Sequence, residues 1–264
     1  MTNIVFIYHM KTVFKIILIY LAIQLPVALA AEISSSWILS YSGRESMLPV
    51  LLAMLVSNVL TFIYLWKAGY ISKERHTWSP VSAGCLLLSV LITFSAILLS
   101  DCLLSHLTWL PDIMEQEFDM IQSHWFGIVM ITVIGPVFEE ILFRGAITRI
   151  LLKRYSPAKA IILSALLFGM IHGNPVQIIG AGFIGLLLGW IYYKTASLMP
   201  CMIIHIVNNS SSVFLSKTYP EASYLKDVTG ETMYGILLMV AIILLVGAYW
   251  SLKKHQSSIN WKEE

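Results

Sequence analysis

Apolar residues gather into eight long runs separated by short polar segments, at about residues 12–31, 47–66, 82–104, 125–148, 159–174, 176–193, 196–216 and 232–250. A helix needs about 20 mainly apolar residues to cross a bilayer. Most of the runs reach that length, and two of them, 159–174 and 176–193, fall slightly short. The pattern predicts an all-α fold, a polytopic membrane helical bundle of about eight transmembrane helices.

Composition agrees. The chain of 264 residues is 58% hydrophobic and 12% charged, with a mean hydropathy of +0.78, whereas soluble domains carry about 25% charged residues. A net charge of +2 gives no argument for nucleic acid as a partner. Its distribution says more. Alternating the eight spans from an inside N-terminus puts 14 of the 17 Lys and Arg residues on one side, among them Lys11, Lys15, Lys67, Arg149, Lys153, Arg154, Lys159 and Lys194. Arg44, Lys217 and Lys226 fall on the other, with the acidic stretch Asp112–Asp119. By the positive-inside rule both termini are expected in the cytoplasm of a multi-pass protein, in the plasma membrane if bacterial.

Lys11 and Lys15 precede an apolar run ending Val27-Ala-Leu-Ala-Ala-Glu32, which is similar to a secretory signal with its cleavage site; an uncleaved first span is the preferred expectation. Cys85, Cys102 and Cys201 are odd in number and lie in or beside apolar runs, with neither a disulfide framework nor a zinc spacing. The tail Trp261–Glu264 reads as a solvated end.

Polar residues inside the spans are few. Glu139 and Glu140 sit next to each other in the fourth run, after Gly135-Pro136, where proline removes a backbone hydrogen bond and is expected to kink the helix. One ionisable side chain at mid-bilayer costs roughly 2.5–3.5 kcal/mol, so such groups are functional candidates whose partners must be found. His172 and His205, the latter followed by Asn208 and Asn209, also lie in spans. His9, His76, His106, His124 and His255 fall in loops or at span ends and are set aside as surface residues. Counted from the nearest basic residue at about 1.5 Å per residue, Glu139, His172 and His205 lie at similar depth.

Glu140 and Arg144 are four residues apart, share a helix face and read as a structural ion pair. Glu139, turned by about 100°, is left to point elsewhere. His205 and Asn209 share a face, as do Phe168 and His172, while Asn208 reads as a helix–helix hydrogen bonder. Gly180, Gly182, Gly185 and Gly189 offer small surfaces for close helix approach. A carboxylate and a neutral imidazole can hold and deprotonate a water, and an imidazole with an amide can donate to the oxyanion that forms at a scissile carbonyl. Glu139 with His172 and His205 with Asn209 supply those two halves, without a serine or cysteine nucleophile.

These residues stand in motifs. Glu139-Glu-Ile-Leu-Phe-Arg144 resembles the Glu-Glu-x-x-x-Arg motif of the CAAX-protease and bacteriocin-processing (CPBP, or Abi) family; Phe168-Gly-Met-Ile-His172 and His205-Ile-Val-Asn-Asn209 resemble its other two, in the family's order. The resemblance covers about residues 124–214. It implies an intramembrane endopeptidase similar to the type II CAAX prenyl protease, acting on a membrane-associated peptide or a prenylated or leader-bearing protein. It divides the chain into N-terminal transmembrane helices (1–120), a catalytic core (121–216) and a last loop, helix and tail (217–264). The candidate catalytic set is Glu139, Glu140, His172, His205 and Asn209, with Arg144 and Phe168 in support. No cofactor is required by this mechanism. Zinc held by Glu139, His172 and His205 is the alternative, weakened by the absence of a His-Glu-x-x-His helix. A proton-coupled transporter would use similar groups, but the sequence has no clear inverted repeat; a non-catalytic immunity protein is the third reading.

Overall fold

The computed structural model describes residues 2–43, 46–253 and 259–262. Arg44, Lys254, His255 and Glu263–Glu264 lie outside the described residues, as do the side chains of His9 and Lys253. Among the described residues the chain is helical, without strands: α1 (Thr2–Ser42), α2 (Leu48–Lys67), α3 (Arg75–Trp78), α4 (Ala83–Ser105), α5 (Glu115–Gln122), α6 (Trp125–Val129), α7 (Gly135–Glu140), α8 (Arg149–Arg154), α9 (Pro157–Met170), α10 (Pro175–Thr195), α11 (Leu198–Thr218), α12 (Leu225–Thr229) and α13 (Glu231–Lys253). Two π-helical stretches, Met130–Ile134 and Ile141–Thr148, join α6, α7 and α8 into one rod from Trp125 to Arg154.

Among the described residues seven segments are long and apolar enough to cross a membrane, and the protein is an integral, multi-pass membrane protein. The difference from eight is α9. With 14 residues it extends about 21 Å, short of a hydrocarbon layer about 30 Å thick. It ends in a turn at residues 171–174, in which Gly173 takes a positive φ of 68°, a conformation that carries no Cβ penalty in glycine. Helix α1 errs the other way: its 41 residues run unbroken past Glu32 to Ser42.

The rod lies at the centre. Phe143, Ala146, Ile147 and Leu151 are buried in one core with Leu188 and Ile191 of α10 and Ile204 of α11. Helices α9 and α10 come closest where side chains vanish: a Cβ on Gly169 would lie 2.5 Å from the Ile178 carbonyl oxygen, and one on Gly185 3.1 Å from the Phe168 ring. Gly182, Gly185 and Gly189 of α10 meet α9, which gives the close helix approach expected of them, while Gly180 faces Ser100 and Leu104 of α4. Ser89 and Thr93 of α4 are buried and donate to the carbonyls four residues back, at 2.8 Å each, so their hydroxyls cost little in an apolar setting. Long rows on α1 and α13, such as Leu18, Leu25, Leu29, Met239 and Ile243, stay exposed on the outside of the bundle, where lipid is their solvent. The three cysteines are free, with Cys85 and Cys201 buried.

The tail departs from its expected solvated state. Trp261 is buried, with its ring 5.3 Å from that of Tyr192 and its indole N–H donating to the Tyr193 carbonyl at 3.3 Å. Lys262 donates to the Tyr155 carbonyl at 2.7 Å. An indole ring gains more from that contact than from water.

Candidate active site

The rod changes hydrogen-bond register on both sides of the glutamates. In the first π stretch the Gly135 N–H reaches the Met130 carbonyl, five residues back. The next donor in that register would be Pro136, which has no N–H. The Ile131 carbonyl left over accepts from Asn209 Nδ2 of α11 at 2.9 Å. The disturbance expected at Gly135–Pro136 thus takes the form of widened turns, and one of them ties the rod to α11.

Glu140 and Arg144 are fully buried and joined through Oε1 and Nη1 at 2.8 Å. The pair has the expected partners, and further groups join it. His205 Nδ1 also lies 2.8 Å from Glu140 Oε1, and Arg144 Nη2 donates to the Gly185 carbonyl at 3.1 Å. The guanidinium sits over the Phe168 ring, 4.6 Å from its centroid. Phe168 further meets the rings of Phe143, His172 and His205 edge to face at 4.9–5.6 Å. Phe168 is the common wall of this knot.

Glu139 points the other way. Its Oε2 lies 4.0 Å from His172 Nε2 and 3.8 Å from His205 Nε2, and its side chain is 30% exposed against 22% for His172. The His172 Nδ1 is 2.7 Å from the Phe168 carbonyl oxygen. A carbonyl only accepts, so Nδ1 carries the hydrogen and the neutral ring turns a lone pair on Nε2 toward Glu139. His205 Nδ1 likewise donates, to the Glu140 carboxylate. The structure therefore gathers Glu139, His172 and His205 around one point and leaves Glu140 and Arg144 behind it. Asn209 is one turn along α11 from His205, with one amide hydrogen given to Ile131 and its Oδ1 accepting from Asn208 Nδ2 at 3.0 Å. Asn208 thus serves its neighbour and not a separate helix contact.

Asn174 was missed by sequence reasoning. It is fully buried; its Nδ2 donates to Asp112 Oδ1 at 2.8 Å and its Oδ1 accepts from the Ile113 N–H at 3.2 Å. These bonds pin the turn that follows His172 to the loop after α4. The available signal was local: Asn174 precedes Pro175 at the start of α10, a helix-start pattern.

The gaps of 3.8 and 4.0 Å are too long for hydrogen bonds and have the width that a single water, at about 2.8 Å from each atom, would bridge. Neighbouring ligands of a tetrahedral zinc lie only about 3.3 Å apart, given bonds of 2.0–2.1 Å. Among the described residues no group of three or more His, Cys, Asp and Glu side chains has the arrangement of a metal site. The placed donors do not fit zinc without moving closer.

Residues 121–211 match the family described as "Rce1-like: Type II CAAX prenyl endopeptidase Rce1-like". The chain is 25% identical over 109 residues to the "Putative membrane peptidase YdiL" of Bacillus subtilis (strain 168), covering 41% of this chain and 44% of that protein. It is also 25% identical over 161 residues to the UPF0177 protein YxdF of Lactococcus lactis subsp. lactis (strain IL1403), covering 56% of this chain and 84% of that one. The chain thus spans less than half the length of the first of these relatives. No solved structure matches it. The matched segment holds all three motifs and every side chain of the Glu139–His172–His205 cluster, and it is this segment that is Rce1-like.

Proposed function

We propose that the protein is an intramembrane endopeptidase that hydrolyses a peptide bond of a membrane-associated substrate with a water held by Glu139 and His172. The observation that carries this is the convergence of Glu139 Oε2, His172 Nε2 and His205 Nε2, within 4.0 Å, on a partly exposed carboxylate. A water in that space donates one hydrogen to Glu139 and one to His172 Nε2, leaving an oxygen lone pair for the scissile carbonyl carbon. As the C–O bond forms, Glu139 takes the proton and the carbonyl oxygen becomes an oxyanion. Breaking the C–N bond returns that proton to the leaving amine.

His205 and the second amide hydrogen of Asn209 face the oxyanion. With Nδ1–H given to Glu140, His205 donates from Nε2 only as an imidazolium. That charge closes the balance: Glu139 and Glu140 contribute two negative charges, Arg144 and His205 two positive ones. Glu140 is then a positioning residue, holding His205 rather than touching substrate. The basic residues Arg149, Lys153, Arg154 and Lys194 support a cytoplasmic setting for this end of the rod and of α10, by the positive-inside rule. Substrates are peptides held at the membrane by an apolar anchor, prenylated or leader-bearing as the family's name and motifs imply.

The test reconstitutes the full chain in lipid nanodiscs with prenylated and unmodified membrane peptides and reads cleavage by mass spectrometry. Wild type cleaves; Glu139→Gln and His172→Ala do not. Cleavage that survives both substitutions removes the assignment. Stoichiometric metal in the purified protein, with activity lost on chelation and restored by zinc, would replace the metal-free route with the zinc one.

A further inference from the structure

Helices α1 and α2 lie outside the family-matched segment, which starts at residue 121. Yet they reach the site. A second, water-sized cavity of about 30 Å³ touches Glu139 from the side of the α1–α2 hairpin, and Tyr20, Asn58, Thr61, Phe62 and Phe138 line it. Phe62 and Phe138 meet edge to face at 6.2 Å and hold α2 against the rod there. A cavity must offer at least about 10–15 Å³ in this measure to hold a water, and the water needs two to four polar partners. Here the Tyr20 hydroxyl, the Asn58 amide and the Glu139 carboxylate supply three. Thr61 is committed elsewhere, its hydroxyl donating to the Ser57 carbonyl at 2.8 Å. Among the described residues neither the Tyr20 hydroxyl nor the Asn58 amide has a hydrogen bond to another protein group.

Position makes the polar pair harder to dismiss. Asn58 sits at the middle of α2, ten residues from Leu48 and nine from Lys67. An amide at that depth in an otherwise apolar span needs a partner, and its neighbours across the cavity are Tyr20 and Glu139.

We propose that Tyr20 and Asn58 are positioning residues of the active site, holding a water that donates to the Glu139 carboxylate from the side opposite the histidines. The α1–α2 hairpin is thereby a working wall of the enzyme. The inference rests on the reading of Glu139 as the water-activating carboxylate. The carboxylate is then gripped from two sides: the hairpin water fixes its plane, and the reacting water lies between it and His172. The titratable groups around Glu139 are Tyr20, Glu140, Arg144, His172 and His205.

The experiment compares wild type, Tyr20→Phe, Asn58→Leu, Asn58→Ser, the Tyr20→Phe/Asn58→Leu pair and Glu139→Gln, each as the full chain in nanodiscs with one cleaved peptide. The double variant is expected to lose about tenfold in kcat at unchanged KM. The acid limb of its pH–rate profile moves to higher pH, because a carboxylate that loses a donor holds its proton more firmly. Asn58→Ser, which keeps a hydroxyl in the cavity, recovers most of the loss. If Glu139→Gln is inactive while the double variant matches wild type in kcat and pH profile, the hairpin role falls and the reading of Glu139 stands. If Glu139→Gln still cleaves, both fall. Should Asn58→Leu fail to fold, Tyr20→Phe alone decides by the same two readouts.

Discussion

Two neighbouring glutamates open onto two different regions of this molecule. On Glu140's side Arg144, His205, Gly185 and Phe168 close around a carboxylate with no exposure. On Glu139's side the nearest polar nitrogens stand 3.8 and 4.0 Å away, the side chain is partly exposed, and water-sized space lies beside it. The closed region pairs its charges through direct bonds at Glu140 Oε1 and Arg144 Nη1, with Glu140 Oε2 and Arg144 Nε left without hydrogen-bond partners, and the open region keeps Glu139 Oε2 facing a gap. A buried ion pair is weak evidence for stability in itself, but the bonds it does make hold their partners in place. What it fixes here is His205, whose Nδ1 is held by the closed glutamate while its Nε2 faces the open one. The division of labour follows: rigidity behind, reactivity in front.

The comparison is broken most severely by removing the closed side's cation. Arg144→Met leaves Glu140 buried without its partner, which is expected to cost about 3–5 kcal/mol. Thermal unfolding in detergent should show it as a large drop in Tm with loss of cleavage. Pairing the change with Glu140→Gln should recover part of the stability, since the stranded charge is gone. A lone Arg144→Met variant as stable as wild type would mean that the closed region does not depend on its ion pair.

Glu139→Gln breaks the other half. It preserves shape and removes the base, so the cleavage rate should fall by about 10²–10⁴ with Tm nearly unchanged. Equal losses of stability at Glu139 and at Glu140 would erase the distinction between the regions.

Much of this division was legible in the sequence and some of it was not, for physical reasons. The apolar runs and the motif spacings announce themselves because helix faces repeat every 3.6 residues and lipid tolerates few charges. The Glu140–Arg144 pair follows from that repeat alone. The Glu140–His205 bond does not, because it joins residues 65 apart, across two helices. The π turns were equally hidden: a wider turn is set by what the neighbouring helices supply, here Asn209 for the Ile131 carbonyl. The truncated α9 looked like a span because its apolar run continues into the turn at Ile171. Tyr20 and Asn58 carried no motif, and only packing of α1 and α2 on the rod puts them beside Glu139.

A milder perturbation acts at the border of the two regions. Asn174→Ala removes both bonds to the loop at Asp112 and Ile113 and should cost about 1–3 kcal/mol. Because the turn also carries His172 two residues earlier, kcat should fall by more than the loss of folded protein explains, with KM little changed. Asp112→Asn, which keeps an oxygen acceptor for the amide, should preserve most of the activity. A drop in stability with kcat intact would assign the loop to folding alone and leave His172 held by Phe168.

The smallest expected effect lies behind both regions, at Ala196 between α10 and α11. Its φ is +54°, a left-handed conformation that costs an L-residue roughly 1–2 kcal/mol. Its N–H bonds the Tyr192 carbonyl at 2.8 Å, closing α10 just before α11 begins. Ala196→Gly removes the Cβ strain but frees the unfolded chain by about 0.5–1 kcal/mol, so the net gain should stay below about 1 kcal/mol. The Tm should rise by a few degrees at most, and kcat should not move. That second half carries the weight. Ala196 is nine residues before His205 and fully enclosed; a change in rate there would mean that relaxing the α10–α11 joint reaches the open site, and that the two regions share a mechanical connection through α11.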